Sequence, residues 1–284
     1  MNGYPRLRKL GRVAAWLVAG FGLLVVMMMF LEESLIFFPA RYPAGEWEPA
    51  GLVFEDAWFE TADGTRLHGW FVPHADPCAA ILFCHGNAGN LSGRADVLRV
   101  IHDRVGAAVL IFDYRGYGRS EGSPNEQGVL ADARAARAWL GDRAGIAQSE
   151  VVLLGRSIGA AVAVDLAAAD GARALVLEST FTSLPDLAAL YYPWLPVRWL
   201  MRNRFNSLDK IGNYHGPLLQ SHGDADTIVP LEYGRRLFEA ANEPKEFLVL
   251  HGEDHNDFPP LGYYDQLRAF LEALPDSGES AAQE

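Results

Sequence analysis

The sequence predicts an α/β domain with a mostly parallel central sheet, preceded by one apolar helix at the N-terminus. From about Val53 onward, short apolar runs alternate with longer alanine-rich stretches. Several of the short runs, such as VVLL and ALVL, are apolar at every position. Such runs are typical of parallel strands that are buried on both faces. Ahead of the domain, residues 13–31 contain no charged side chain.

Length and composition exclude several classes of protein. The chain has 284 residues, of which 50% are hydrophobic and 21% are charged, so disorder throughout is excluded. The 28 glycines and 16 prolines follow no period, which excludes a collagen-like chain, and two cysteines are too few for a disulfide scaffold. The first 31 residues carry four basic side chains and no acid, so the net charge of −12 leaves −16 on the other 253 residues. That charge is unsuited to nucleic-acid phosphate, and no nucleic-acid partner is expected.

Residues 13–31 predict a transmembrane anchor. At about 1.5 Å of rise per residue, this segment forms about 28 Å of helix, close to the thickness of the hydrocarbon layer. A signal peptide is the first alternative, but its apolar region is about 7–15 residues long and ends in a small-x-small cleavage site. The segment MMMFLEE at its end offers no such site. A buried core helix is the second alternative. Basic residues before the span place residues 1–12 in the cytoplasm and the remaining chain on the far side.

The chain after the anchor is predicted to comprise a linker at 32–52, one domain at 53–274 and a flexible polar tail at 275–284. Only three of the 24 basic residues are lysines, a bias that favours GC-rich coding DNA and hence a bacterial inner membrane and periplasm. In that oxidising compartment Cys78 and Cys84 are candidates for pairing. Six extended residues separate them by about 20 Å, beyond disulfide reach, so we expect two free, buried thiols.

Periodicity and turn residues give the predicted elements. A hairpin is expected at 53–60 and 67–72. The later strands are expected at 79–84, 107–112, 151–154, 174–177, 218–221 and 246–250. The helices are expected at 91–104, 126–141, 158–169, 231–241 and 263–274.

A candidate nucleophile lies in the pattern Gly-Arg-Ser-Ile-Gly at 155–159. Ser157 follows an apolar strand and precedes an alanine-rich helix, the context of a serine on a sharp strand-to-helix turn. A second match, Gly-Arg-Ser-Glu-Gly at 118–122, lies in a loop with no helix directly after it. We therefore predict Ser157 as the nucleophile and Ser120 as a turn residue.

A serine nucleophile needs a histidine base and a carboxylate that orients it. In the chain order of hydrolases, the acid follows a later strand and the histidine follows the last one. Two acids, Asp224 and Asp226, and two histidines, His251 and His255, occupy these loops. Because a loop can swing towards the serine only several residues past its strand, Asp226 and His255 are favoured.

The oxyanion of an acyl-transfer intermediate needs backbone donors. The N–H of Ile158, next to the nucleophile, is the first donor. The second is expected in the loop after the strand at 79–84, with Asn87 as the best donor and Ala88 as the second choice. His85, directly at the strand end, is expected to make structural hydrogen bonds.

The remaining motifs indicate no metal and no cofactor. The pair Gly116-x-Gly118 lacks the third glycine and the helix of a dinucleotide site, so Asp113 and Arg115 are expected to pin this turn internally. No His-Glu-x-x-His motif occurs, and Gly252 in a predicted loop argues against zinc at His251 and His255.

The segments HGNAGN, DYRGYGRSEGSPNE, GRSIGA, ESTFTSL, HGDADTIVP and GEDHNDF together resemble the α/β-hydrolase fold, and more narrowly membrane-anchored α/β-hydrolase domain-containing serine hydrolases. The resemblance covers roughly residues 35–274. It implies Ser157 as nucleophile, Asp226 as acid and His255 as base, with the loop at His85 lining the oxyanion hole. Relatives include acyl-thioester, lipid-ester and peptidase-like hydrolases, so the resemblance implies a reaction type more firmly than a substrate.

Residues 180–213 lie where such hydrolases insert a cap over the active site. This segment is rich in aromatic residues, and we expect its Tyr191 and Trp194 to contact an acyl chain. Ala88, in the loop after the strand at 79–84, is expected to contact substrate as well. The segment 181–213 also carries four basic residues against two acids. Whether its arginines meet anionic lipid or acids of the domain itself is left open.

These observations predict a serine hydrolase that cleaves an ester or thioester of a small-molecule or lipid-like acyl substrate through an acyl-enzyme. Amide cleavage by the same triad is the alternative among enzymes. A non-catalytic, membrane-anchored binding protein on the same fold is the alternative outside them. The sequence does not indicate an oligomeric state.

Overall fold

The computed structural model describes residues 4–275, with side chains from Lys9 onward. The predicted tail beyond Pro275 lies outside this range. The main sheet has eight strands: β1 Glu55–Glu60, β2 Arg66–Val72, β3 Ala80–Cys84, β4 Ala108–Phe112, β5 Val152–Arg156, β6 Ala174–Glu178, β7 Leu218–Gly223 and β8 Lys245–Leu250. Their spatial order is β1-β2-β4-β3-β5-β6-β7-β8. Both pairings of β2, with β1 and with β4, are antiparallel, and the other neighbouring pairs are parallel.

The sheet is buried on both faces because successive side chains of its central strands enter different apolar layers. Leu82 of β3 and Leu153 of β5 pack into one layer with the helices on that face. Ile81 and Val152, one position earlier in each strand, pack into the other layer. This two-sided burial explains the continuous apolar runs of the sequence.

Ten helices lie in the described chain, and several of them pack on the two faces of the sheet. They are α1 Tyr4–Phe30, α2 Glu32–Ile36, α3 Ala95–Val100, α4 Glu126–Ala144, α5 Ile158–Asp170, α6 Leu184–Tyr191, α7 Val197–Leu200, α8 Leu208–Ile211, α9 Leu231–Ala240 and α10 Leu261–Glu272. Every predicted strand lies within two residues of an observed one. The helix predicted at 91–104 is less regular than expected, because a 3-10 turn at Leu91–Arg94 and a π-helical turn at Ile101–Val105 flank α3. The predicted α/β class with a mostly parallel sheet is confirmed.

One helix of the described chain is long and apolar enough to cross a membrane, the segment Lys9–Phe30 of α1. No side chain of this segment is fully buried inside the protein. The residues after it pack onto the domain: Glu32 and Phe37 are buried, and Phe38–Pro39 pairs in parallel with Ala88–Gly89. The apolar helix is therefore joined to the domain through packed residues.

Both cysteines are free. Cys84 in β3 is buried as expected, and burial raises the pKa of its thiol well above the usual range. Cys78 is only half-buried, which corrects the expectation of two buried thiols. It lies in the loop before β3, where its Sγ contacts the carbonyl oxygen of Val105 at 3.4 Å.

The loop after β4 is fixed by a buried ion pair. The Arg115 guanidinium donates to Asp132 Oδ1 from Nε at 2.9 Å and from Nη2 at 2.8 Å, and the Asp132 side chain is fully buried. An exposed pair of similar geometry joins Arg143 Nη2 to Glu55 Oε1 at 2.7 Å. The Arg115 pair is buried and also includes Asp63, whose Oδ2 lies 3.0 Å from Arg115 Nη1, whereas the Arg143 pair is exposed.

We expect Arg115→Met to lower the free energy of unfolding by about 3–5 kcal/mol, because it leaves the buried Asp132 charge without its partner. Arg143→Met, the matched control, is expected to cost less than about 1 kcal/mol, as is usual for surface pairs. Urea unfolding of the full chain in detergent measures both. Equal losses for the two variants would contradict this account of the loop.

Candidate active site

The predicted site residues meet at the carboxyl edge of the parallel strands. Ser157 directly follows β5, and residues 85–90 follow β3. Asp226 and His255 lie in the loops after β7 and β8. Because the carboxyl ends of parallel strands share one edge of a sheet, four separate segments converge there, as is typical of ligand sites in α/β sheets.

Ser157 lies on a strained turn between β5 and α5. Its φ of 56° and ψ of −119° are sparsely populated for a residue with a Cβ. The flanking glycines allow the turn: a Cβ on Gly155 would lie 2.3 Å from the carbonyl oxygen of Gly159, and a Cβ on Gly159 would lie 2.0 Å from that of Cys84. The turn places the Ser157 hydroxyl at the N-terminus of the 13-residue helix α5.

A chain of hydrogen bonds links the three candidate catalytic residues. Ser157 Oγ lies 3.0 Å from His255 Nε2, and His255 Nδ1 lies 2.7 Å from Asp226 Oδ2. A carboxylate only accepts hydrogen bonds, so Nδ1 carries the imidazole proton and Nε2 is left to accept the proton of the serine hydroxyl. The structure thus brings together the serine, base and acid chosen from the sequence.

The environment of Asp226 favours its charged form. Burial opposes ionisation, but hydrogen bonds from His222 and His255 outweigh it and hold the pKa of Asp226 well below its usual range. The backbone N–H groups of Ile228 and Val229 also donate to its Oδ1, at 2.9 and 2.7 Å. The carboxylate is therefore ionised at neutral pH.

The competing acid and base form a different pair. Asp224 Oδ2 contacts His251 Nδ1 at 2.8 Å, and the His251 side chain is 83% exposed. Ser120 is also engaged elsewhere, since its hydroxyl donates to the carbonyl oxygen of Asp113 at 2.7 Å and accepts the N–H of His68 at 3.0 Å. These residues hold loops in place and do not join the hydrogen-bond chain of Ser157.

The loop after β3 is held in place beside Ser157. The Tyr117 hydroxyl donates to the carbonyl oxygen of Asn87 at 2.7 Å, and the Asn87 side chain donates to the carbonyl oxygen of Ile36. Within residues 4–275, the backbone N–H groups of Asn87 and Ile158 donate to no other protein group. Both residues line the same cavity as Ser157, and so does Ala88.

Buried polar contacts support this loop from below. His85 is fully buried, with Nδ1 2.7 Å from the carbonyl oxygen of Gly86 and Nε2 3.5 Å from Asp113 Oδ1. Asp113 also accepts the N–H of Leu91 at 2.8 Å. Arg115 does not contact Asp113, because its guanidinium pairs with Asp132 and Asp63. The two residues therefore fix the turn through separate partners.

A cavity of about 800 Å³ lies over Ser157 and His255. Its lining is mostly apolar and includes Tyr191, whose hydroxyl donates to the carbonyl oxygens of Thr227 and Ile228 at 3.0 and 2.7 Å. Trp194 is not among the lining residues. Its ring lies beside Phe21 of α1, with 6.5 Å between the centroids, so the structure does not bring it into the site.

Two features of the site have no clear signal in the sequence. Arg156, directly before Ser157, donates from Nη2 to the carbonyl oxygens of His255 and Asp257 at 2.7 and 2.8 Å and so holds the loop that carries His255. Residues between 25 and 38, expected as anchor and linker, also line the cavity. Within the described chain, no three His, Cys, Asp or Glu side chains are grouped to hold a metal ion.

Comparison with known proteins agrees with this architecture. A family profile described as alpha/beta hydrolase fold matches residues 79–207. An uncharacterized protein of Mycobacterium tuberculosis is 43% identical over 87% of this chain and 90% of its own length. The alpha/beta hydrolase domain-containing protein WAV2 of Arabidopsis thaliana is 34% identical over 78% of this chain and 80% of its own. An esterase of Pyrococcus furiosus, Pf2001, superposes with a TM-score of 0.69 at 22% identity, over 84% of this chain and 98% of its own. The chain belongs to the α/β-hydrolase family.

Proposed function

We propose that this protein is a membrane-anchored serine hydrolase that cleaves carboxylic ester or thioester bonds of acyl-chain substrates through an acyl-enzyme. The observation that carries the proposal is the hydrogen-bond chain from Ser157 through His255 to Asp226 at the floor of an apolar cavity. Strained backbone conformations cluster at functional sites, and a serine nucleophile is activated by a histidine that a carboxylate orients. Ser157 combines both features.

In the proposed reaction, Ser157 Oγ attacks the acyl carbonyl carbon while His255 Nε2 takes the hydroxyl proton. The carbonyl oxygen becomes an oxyanion, for which the free N–H groups of Asn87 and Ile158 are the candidate donors. His255 then returns the proton to the departing alcohol or thiol. Water, deprotonated by the same nitrogen, hydrolyses the acyl-enzyme and releases the acid.

Asp226 acts through His255 in this scheme. Its carboxylate fixes Nδ1 as the protonated nitrogen and stabilises the imidazolium that forms during each proton transfer. Because hydrogen bonds keep the pKa of Asp226 well below its usual range, the carboxylate remains charged throughout the neutral pH range. The acid therefore orients and stabilises the base but does not itself take up a proton.

The cavity favours an acyl chain over a sugar or a phosphate. Its lining is dominated by aliphatic, methionine and aromatic side chains from the cap and from α1. A cavity of about 800 Å³ lies within the range of about 300–1,000 Å³ that is typical of ligand sites. The fold similarity to the Pyrococcus esterase is in keeping with ester cleavage.

We also propose that α1 anchors the domain to a cell membrane, with the N-terminus cytoplasmic and the domain on the far side.

We expect Ser157→Ala to abolish hydrolysis of a short p-nitrophenyl ester, by about 10⁶-fold in kcat, because the attacking oxygen is removed. Ser120→Ala, the matched control from the second Gly-x-Ser-x-Gly pattern, is expected to retain activity within a few-fold. Circular dichroism checks that both variants are folded. Activity retained in the Ser157 variant and lost in the Ser120 variant would refute the assignment of the nucleophile.

We expect Asp226→Asn to lower kcat by about 10⁴-fold, because the amide no longer fixes the histidine tautomer or stabilises its cation. Asp224→Asn, which removes the negative charge beside the exposed His251, is expected to lower kcat by less than about tenfold. Steady-state hydrolysis of the same ester measures both. A larger loss for Asp224→Asn would move the acid to that residue.

A further inference from the structure

We propose that the C-terminal turns of α1 form one wall of the acyl-chain site, so that the apolar helix contributes to substrate selection as well as to anchoring. This inference rests on the proposed function. The occupant of the cavity is the acyl chain of a lipid-like ester. The residues of α1 concerned are Val25, Met28 and Met29, which line the cavity that also contains Ser157 and His255.

The burial pattern of α1 marks the face that covers the site. Most of the helix is exposed, whereas Leu24, Val25 and Met28 are half-buried. The neighbouring Met27 is 49% exposed and does not line the cavity. The half-buried residues recur at a spacing of three to four, so they lie on one face of α1, and this face is turned towards the domain.

A buried carboxylate holds the end of α1 against the cap. Glu32 Oε1 accepts the backbone N–H groups of Arg202 and Asn203, both at 2.8 Å, and Oε2 accepts Arg202 Nε at 3.1 Å. Arg202 Nη2 also donates to the carbonyl oxygen of Met29, the last turn of α1, at 3.0 Å. The end of α1 is thus fixed to the cap by several hydrogen bonds and is not a flexible connection to the domain.

The chain that follows α1 reaches the loop on the other side of the site. The Asn87 side chain donates to the carbonyl oxygen of Ile36, at the end of α2. Asn87 also belongs to the loop whose free N–H is a candidate oxyanion donor. Residues 25–36 therefore run from the apolar end of the cavity to the loop beside the nucleophile.

The cap presents an apolar surface next to α1, which favours a lipid-like occupant. Residues 187–197 contain no charged side chain. Tyr192 and Trp194 in this stretch are 47% and 56% exposed, and Trp199 just after it is 91% exposed. Trp194 lies beside Phe21, which is nine residues before the end of α1, or about 13 Å along the helix axis. The cap therefore extends alongside the membrane-spanning part of the helix.

Two of the three arginines of the cap form ion pairs within the protein. Arg198 Nε pairs with Asp186 at 2.9 Å, and Arg202 pairs with Glu32 and Glu33 at 3.1 and 3.0 Å. Of the two alternatives left open by the sequence, the structure favours internal pairing for these two residues. The apolar contact between Trp194 and Phe21 joins the cap to α1, and both elements contribute apolar side chains to the cavity.

The test compares hydrolysis of p-nitrophenyl acetate, dodecanoate and hexadecanoate by the full chain in nanodiscs. Met28→Trp places bulk in the cavity, and we expect the ratio of kcat/KM for dodecanoate to that for acetate to fall at least tenfold. Met27→Trp, the matched control on the outward face, is expected to keep this ratio within twofold of the wild type. Met28→Ala, which enlarges the cavity without added bulk, is expected to raise the ratio for hexadecanoate over dodecanoate at least twofold.

The possible results separate the inference from the function beneath it. If the wild type hydrolysed these esters and both Met28 variants kept its chain-length ratios of kcat/KM, the inference would be overturned. The proposed serine hydrolase activity would be unaffected. An equal fall in Met27→Trp and Met28→Trp would also overturn it, because the effect would then come from the helix in general. If the wild type hydrolysed none of these esters, the proposed function and the inference would both be overturned.

Discussion

The close approach of α5 to the carboxyl end of β3 is the constraint on which the site depends. A Cβ on Gly159 would lie 2.0 Å from the Cys84 carbonyl oxygen, so the helix can start at this point only with glycine there. This contact places Ser157 in its strained turn and brings Ile158 beside the loop that carries Asn87. The candidate nucleophile and both candidate oxyanion donors therefore lie around one backbone contact, whereas the candidate base and acid lie on the loops after β7 and β8.

Electrostatics and packing assign different tasks to the two sides of the cavity. On the sheet side, Asp226 is held ionised and His255 is fixed between it and Ser157. On the cap side, Arg202 pairs with Glu32, and the cavity lining is mostly apolar. This division suits a substrate with one polar, reactive end and one hydrocarbon end, because each end meets groups of its own kind.

Much of the fold and the polar half of the site could be predicted from sequence. Several central strands are short apolar runs, and the parallel direction of the strands brings the loops that carry Ser157, Asp226 and His255 to one edge of the sheet. The cap side could not be predicted in this way, because its contacts join distant parts of the chain. The bonds between Glu32 and Arg202 span 170 residues, and no local pattern shows that Met28 rather than Trp194 lines the cavity. The exposure of Cys78 likewise depends on the loop before β3, which periodicity does not describe.

The most direct test of the account is covalent labelling of the full chain with an alkyl fluorophosphonate, followed by mass spectrometry of its proteolytic peptides. A serine that is activated by a histidine attacks the phosphorus, expels fluoride and keeps the phosphonyl group as a stable adduct. The account predicts one adduct per chain, on the peptide that contains Ser157. An adduct on the peptide that contains Ser120, or no adduct on a folded chain, would contradict it.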